Sequence, residues 1–139
     1  MDTWIRRLLM LSKNHHGARI IFKRDYESTV GRGAVIYRAH LRPEMSLILY
    51  WAAYYAPAEL NGEMWVTEGW RNIRESRDLH EECRAFDIDC TRIKTSSYST
   101  SYVIAQKWAK SLSEELGSDY QVILHGGEKG LHLHVELDP

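Results

Sequence analysis

Between Leu131 and Leu137 apolar and polar side chains alternate without a break, in the order Leu131, His132, Leu133, His134, Val135, Glu136, Leu137. A period of two predicts a half-buried strand, with both histidines on one face and the leucines and valine on the other. Ala85 to Cys90 reads as a second strand of this kind, on which Asp87 and Asp89 share a face. Elsewhere the period lengthens. Pro43 suits the first position of a helix, and Met45, Leu47, Ile48, Trp51, Ala52 and Tyr55 follow at helical spacing, which predicts a helix ending near Pro57. Asn61-Gly62 then turns the chain into a strand from Met64 to Val66. A Ser/Thr-rich loop leads to a second helix from about Ser99 to Leu116, with Val103, Ile104, Trp108 and Leu112 as its apolar face and Gly117 as its C-terminal cap. Tyr120 to Leu124 and Leu131 to Leu137 form a closing hairpin around the glycine-rich turn His125-Gly126-Gly127-Glu128-Lys129-Gly130, and residues 18–24 and 34–39 predict two further strands around Gly31-Arg32-Gly33. Helices followed by antiparallel strands predict an α+β domain, an antiparallel sheet with the helices packed on one face.

Composition narrows this without changing it. A chain of 139 residues with 44% hydrophobic and 27% charged residues fits one globular domain with a core of its own, and five Trp and eight Tyr supply aromatic bulk. The N-terminal run lacks the apolar stretch of a signal peptide, and no segment approaches the ~20 apolar residues of a membrane span, so the expectation is synthesis in the cytoplasm without a signal peptide. Cys83 and Cys90, with a bend and a strand expected between them, do not suggest a disulfide. Charge is unevenly placed: residues 1–42 carry nine Lys and Arg against three Asp and Glu, a balance of +6, and residues 43–139 carry nine against sixteen, a balance of −7. A basic third can touch a polyanion, but its interleaved apolar runs favour a solvated hairpin, and nucleic acid is not the expected partner. That segment has no assigned role, and residues 43–139 form the expected core.

His80 and Asp87 in one block, and His132 and His134 in another, supply imidazoles and a carboxylate, a donor mixture common at catalytic zinc. A separation of seven puts His80 and Asp87 on opposite faces of any flat strand, so His80 has to come from a turn entering it. Taken singly, a His-x-His pair is more often a polar strand face than a ligand pair.

The context resembles the M15 family of zinc peptidases, the D-Ala-D-Ala carboxypeptidases, and their relatives the hedgehog signalling domains. The family pattern SxHxxGxAxD lies over Asp78 to Asp87, matching at His80, Ala85 and Asp87 and departing at Asp78 and Cys83. Val66-Thr67-Glu68-Gly69-Trp70-Arg71 is similar to the family's VTSGYR segment, and Glu128 to His134 to its closing glutamate and His-x-His block. The three blocks occur in the family's order across residues 64–136, about half of the chain.

The resemblance implies that His80, Asp87 and His134 hold zinc, that Glu128 is the general base, that His132 hydrogen-bonds a developing oxyanion, and that Arg71 holds a substrate carboxylate. The choice of His134 over His132 as ligand rests on the resemblance alone, and Arg74 and Arg77 rival Arg71. The expected function is hydrolysis of peptidoglycan stem peptides at a bond next to D-Ala, by a carboxypeptidase or an endolysin-type endopeptidase. Such an enzyme reaches the wall after lysis or by virion delivery, which suits a phage product. A non-catalytic, zinc-bearing, hedgehog-like binding domain and a phage structural protein are the alternatives. Oligomeric state is left open.

Overall fold

The computed structural model describes residues 17–22, 43–68 and 85–137. In chain order these form β1 (Arg19–Phe22), α1 (Pro43–Tyr54), a 3₁₀ turn (Ala58–Leu60), β2 (Glu63–Glu68), β3 (Ala85–Asp89), α2 (Tyr98–Leu116), β4 (Tyr120–His125) and β5 (His132–Leu137). The strands make one sheet in the order β1-β2-β3-β5-β4. The expected strand at residues 34–39 lies outside the described residues.

The α+β class holds, but the sheet is mixed where an antiparallel one was expected. β1 runs parallel to β2, with Arg19 opposite Glu63 and Phe22 opposite Val66, and the remaining pairs are antiparallel. The cause is the connection. Between β1 and β2 the chain passes through α1, and a helical crossover returns it to the end it started from, so the second strand runs in the same direction. Hydrogen bonds from Ala18 N to Ala53 O (2.9 Å) and from Arg19 N to Gly62 O (2.7 Å) tie the start of β1 to the end of α1 and to the turn before β2. That turn is the expected one, with Asn61 and Gly62 both at positive φ (55° and 81°).

Both helices contribute to a core that covers one face of the sheet. Met64, Val66, Phe86, Ile88, Leu133 and Val135 are fully buried against Ile48, Leu49 and Ala52 of α1 and Ala105, Trp108 and Leu112 of α2. Each such side chain contributes on the order of 1.5–3 kcal/mol by leaving water. Trp108 joins the helices directly, donating from Nε1 to the Ala52 carbonyl at 3.0 Å. Two of the expected apolar faces shift. Leu47 is exposed while Leu49 and Ala53 are buried, because α1 is apolar nearly all round and its periodicity cannot choose a side. Val103 is also exposed, since the buried stripe of α2 runs through Ala105, Trp108 and Leu112. That helix starts where its cap directs, the Ser97 hydroxyl accepting from Thr100 N at 3.2 Å. Among the described residues no helix is long and apolar enough to cross a membrane.

Candidate functional site

Register brings the aspartates and histidines together on the face away from the helices. Across the β3–β5 pair Asp87 stands opposite His134 and Asp89 opposite His132. Their neighbours along each strand, Phe86, Ile88, Leu133 and Val135, point into the core, so the polar set points the other way. On the far side of β5, strand β4 adds His125, Ile123 and Gln121 opposite His132, His134 and Glu136.

The closest contact is between His134 and Asp87. His134 Nδ1 lies 2.8 Å from Asp87 Oδ1, and its Nε2 lies 3.3 Å from Glu136 Oε2. These side chains retain little solvent contact, His134 at 24%, Asp87 at 14% and Glu136 at 16% of full exposure. A carboxylate on each ring nitrogen holds the His134 pKa above its ordinary 6.5. The hydrogen bond to Asp87 is the largest cause, partial burial opposes it, and Glu136 adds to the rise.

His132 is held differently. Its Nδ1 lies 2.8 Å from the Gly130 carbonyl oxygen, which can only accept, so Nδ1 carries the proton. Its Nε2 stands 4.0 Å from Asp87 Oδ1, and the His125 ring packs edge-on at 5.5 Å between centroids. Gly126 makes this arrangement available. Its φ is 93°, and a Cβ there would collide with the Gly130 carbonyl that His132 uses.

Two further details of β3 bear on Asp87. Between the pairs Val66–Ile88 and Glu68–Asp87 the register shifts, leaving Thr67 as an extra residue, and Thr67 Oγ1 donates to the Asp87 carbonyl at 3.3 Å. A bulge at this point bends the strand and re-aims the side chain beside it. Asp89, which shares the face, contacts no histidine among the described residues. Its Oδ1 accepts from Thr91 N (3.1 Å) and Thr91 Oγ1 (2.7 Å), and its Oδ2 faces Arg92 Nε at 3.6 Å, while Arg92 lies over the Trp65 ring at 4.1 Å. Cys90 is buried in the core, where desolvation pushes its thiol pKa well above the ordinary 9.0, so it is no rival donor on the polar face.

Of the residues singled out in the sequence, Asp87, His132 and His134 are brought together. His80 and Arg71 lie outside the described residues. Glu128 sits in the β4–β5 turn and lines a cleft of about 400 Å³ with Lys94, Thr95, Ser97, Tyr98 and Leu131, whereas Asp87, His132 and His134 do not line it. Glu136 is the member of the site that the motifs passed over, although its place two residues beyond His134 on an alternating strand puts it on the same face.

The donor chemistry suits a zinc ion in part. Asp87 Oδ1 and His134 Nδ1 face each other, and they need to part by about half an ångström to stand as neighbouring ligand atoms at Zn–N and Zn–O lengths near 2.0 Å. Among the described residues no three His, Cys, Asp or Glu side chains gather into a metal-holding cluster. A zinc site at Asp87 and His134 would need a further ligand from outside the described residues, the place where the M15 resemblance puts His80. Comparison of the chain with protein-family models, with curated proteins and with solved structures finds no match.

Proposed function

We propose that this chain is a zinc-dependent peptidase that hydrolyses peptidoglycan stem peptides, with His80, Asp87 and His134 as ligands. The observation that carries the reading is the contact of Asp87 Oδ1 with His134 Nδ1 on a partly shielded polar face, at the two positions where the M15 resemblance requires ligands. A bound zinc supplies a Lewis acid and lowers the pKa of its water to about 7. Glu128 accepts the proton of the attacking water, and Arg71 pairs with a substrate carboxylate. Because Gly130 fixes the proton of His132 on Nδ1, His132 donates to an oxyanion from Nε2 only when the ring is protonated. Whether the bond cut is that of a terminal D-Ala or lies inside a cross-bridge depends on whether Arg71 meets a free carboxylate.

The test is metal content together with turnover. One zinc per chain is expected, lost on His80→Ala, Asp87→Ala or His134→Ala, with hydrolysis of a peptide ending in D-Ala. Glu128→Gln should keep the zinc and lower turnover by ~10²- to 10⁴-fold. Amidation of the terminal carboxylate should abolish cleavage by a carboxypeptidase and leave an endopeptidase unaffected. A protein that takes up no zinc overturns the reading. The placement of Glu128 in a cleft that Asp87 and His134 do not line favours a second reading, a zinc-bearing binding domain without turnover, which predicts bound zinc with no hydrolysis of any wall peptide.

A further inference from the structure

We propose that the outer edge of β4 is the surface through which two copies of this chain pair, β4 against β4 about a two-fold axis, independently of the zinc reading. β4 ends the sheet order, and among the described residues no strand pairs with its outer side. An edge strand leaves a row of N–H and C=O groups facing outward, a template for another strand unless something blocks it. The two edges of this sheet differ in that respect. β1 is four residues long and opens on Arg19, whose guanidinium is held at 2.7 Å by Glu63, so charge stands at that border. β4 runs for six residues, Tyr-Gln-Val-Ile-Leu-His, and keeps unbroken register with β5 over its whole length. Of the blocks a strand carries in its own sequence, a Lys or other ionic side chain, a proline or a bulge, β4 has none.

The side chains select the occupant. Paired strands set residues of the same sheet face opposite one another. On β4, Gln121, Ile123 and His125 share the face away from the helices, while Tyr120, Val122 and Leu124 pack against the core. A two-fold axis perpendicular to the sheet at Ile123 satisfies that condition along the strand: Ile123 lies opposite Ile123, Gln121 opposite His125, and Val122 opposite Leu124. Ile123, an apolar side chain left 38% exposed, is then covered by its own image. Gln121 gains a hydrogen-bonding neighbour in His125, and Val122 and Leu124 carry the core across the axis. No Lys, Arg, Asp or Glu stands on the strand to oppose its like, so a second copy of the chain fits where a strand with charge at its centre would repel itself. The axis keeps both α2 helices on one face of the two joined five-stranded sheets. Because the β1 border carries charge, the pairing closes at two copies and does not propagate.

The experiment measures the mass of the full chain in solution by light scattering and sedimentation, for wild type and Ile123→Lys. Wild type is expected to be a dimer, and Ile123→Lys, which sets two like charges on the axis and removes the apolar contact there, should weaken it by ~10- to 100-fold. Register is read separately by cross-linking in air, with wild type treated in parallel as the control for Cys83 and Cys90. Ile123→Cys should form a disulfide between copies, since its Cβ lies about 5 Å from its own image, whereas Gln121→Cys should do so only in combination with His125→Cys. The cysteine variants add no charge, and they decide the matter if Ile123→Lys does not fold. A monomeric wild type overturns the proposal. So does a dimer that Ile123→Lys leaves intact, a set of cross-links in another register, or a species that grows beyond two copies.

Discussion

On β3 and β5, Phe86, Ile88, Leu133 and Val135 turn toward the helices and are fully buried, whereas Asp87, Asp89, His132, His134 and Glu136 turn the other way and keep partial contact with solvent. The backbone is the same on both sides, so the difference is one of packing. Apolar side chains on the helical face interlock in the core, and polar side chains on the other face are joined by directed contacts at 2.8–3.3 Å. Stability and chemistry are thus assigned to alternate residues of the same strands. A substitution one position along should change the property that is lost.

The largest expected effect comes from the buried face. Phe86→Ala should destabilise the fold by ~3–5 kcal/mol, since it removes a large core side chain and leaves a cavity. In the metal-free protein His134→Ala should cost less, about 1–3 kcal/mol, because it takes the imidazole away from the largely shielded Asp87 and Glu136 carboxylates, and it should remove zinc binding at the proposed site. Urea denaturation of the two variants checks the contrast. Equal destabilisation would show that the two faces cannot be separated.

A second prediction tests the polar face by pH. The folded-state pKa of His134 is raised above 6.5, so in the metal-free protein its contribution to stability is complete below 6.5 and is lost as pH rises through the raised value. At the proposed zinc site, binding should run the opposite way, because the ion would compete with the proton for Nδ1, so affinity should fall as pH drops through that same value. Following the His134 ring by NMR checks the first statement, and Asp87→Asn should bring the titration back toward 6.5. A His134 that titrates at or below 6.5 in the native protein would contradict the cause assigned to the shift.

The smallest effect is expected where the sequence and the fold disagree. Val103 reads as a core position by spacing and is exposed in the structure, so Val103→Lys should change stability by no more than about 0.5 kcal/mol. A loss of several kcal/mol in thermal or chemical unfolding would place the core face of α2 elsewhere.

Legibility followed the strength of the local pattern. β5 and β3 alternate cleanly, so their faces could be read before any register was known, whereas the grouping of Asp87 with His134 came from the M15 resemblance and their opposition follows from the pairing of the two strands. Asn61-Gly62 and Gly126 mark turns by their own conformational preferences, whereas the Ser97 cap could not be told from its neighbours in a Ser/Thr-rich loop. The direction of β1 was not legible, because strand polarity follows from the crossover and leaves no trace in alternation. The buried side of α1 was hidden by its uniform apolarity. Glu136 was overlooked for a different reason: a motif names residue types at fixed places, while its contact with His134 depends on the rotation of a ring.

The closing hairpin also orders the steps of folding. His132, His134 and Glu136 all lie on β5, and its pairing with β4 spans a single short turn, so this half of the site belongs to an element of the kind that forms in ~1–10 μs. Asp87 is 47 positions from His134 along the chain and arrives only when β3 docks against β5, after the entropy of a much longer loop has been overcome. The contact between them therefore reports the docking of β3 on β5: a chain arrested at the hairpin carries the imidazoles without their carboxylate on β3.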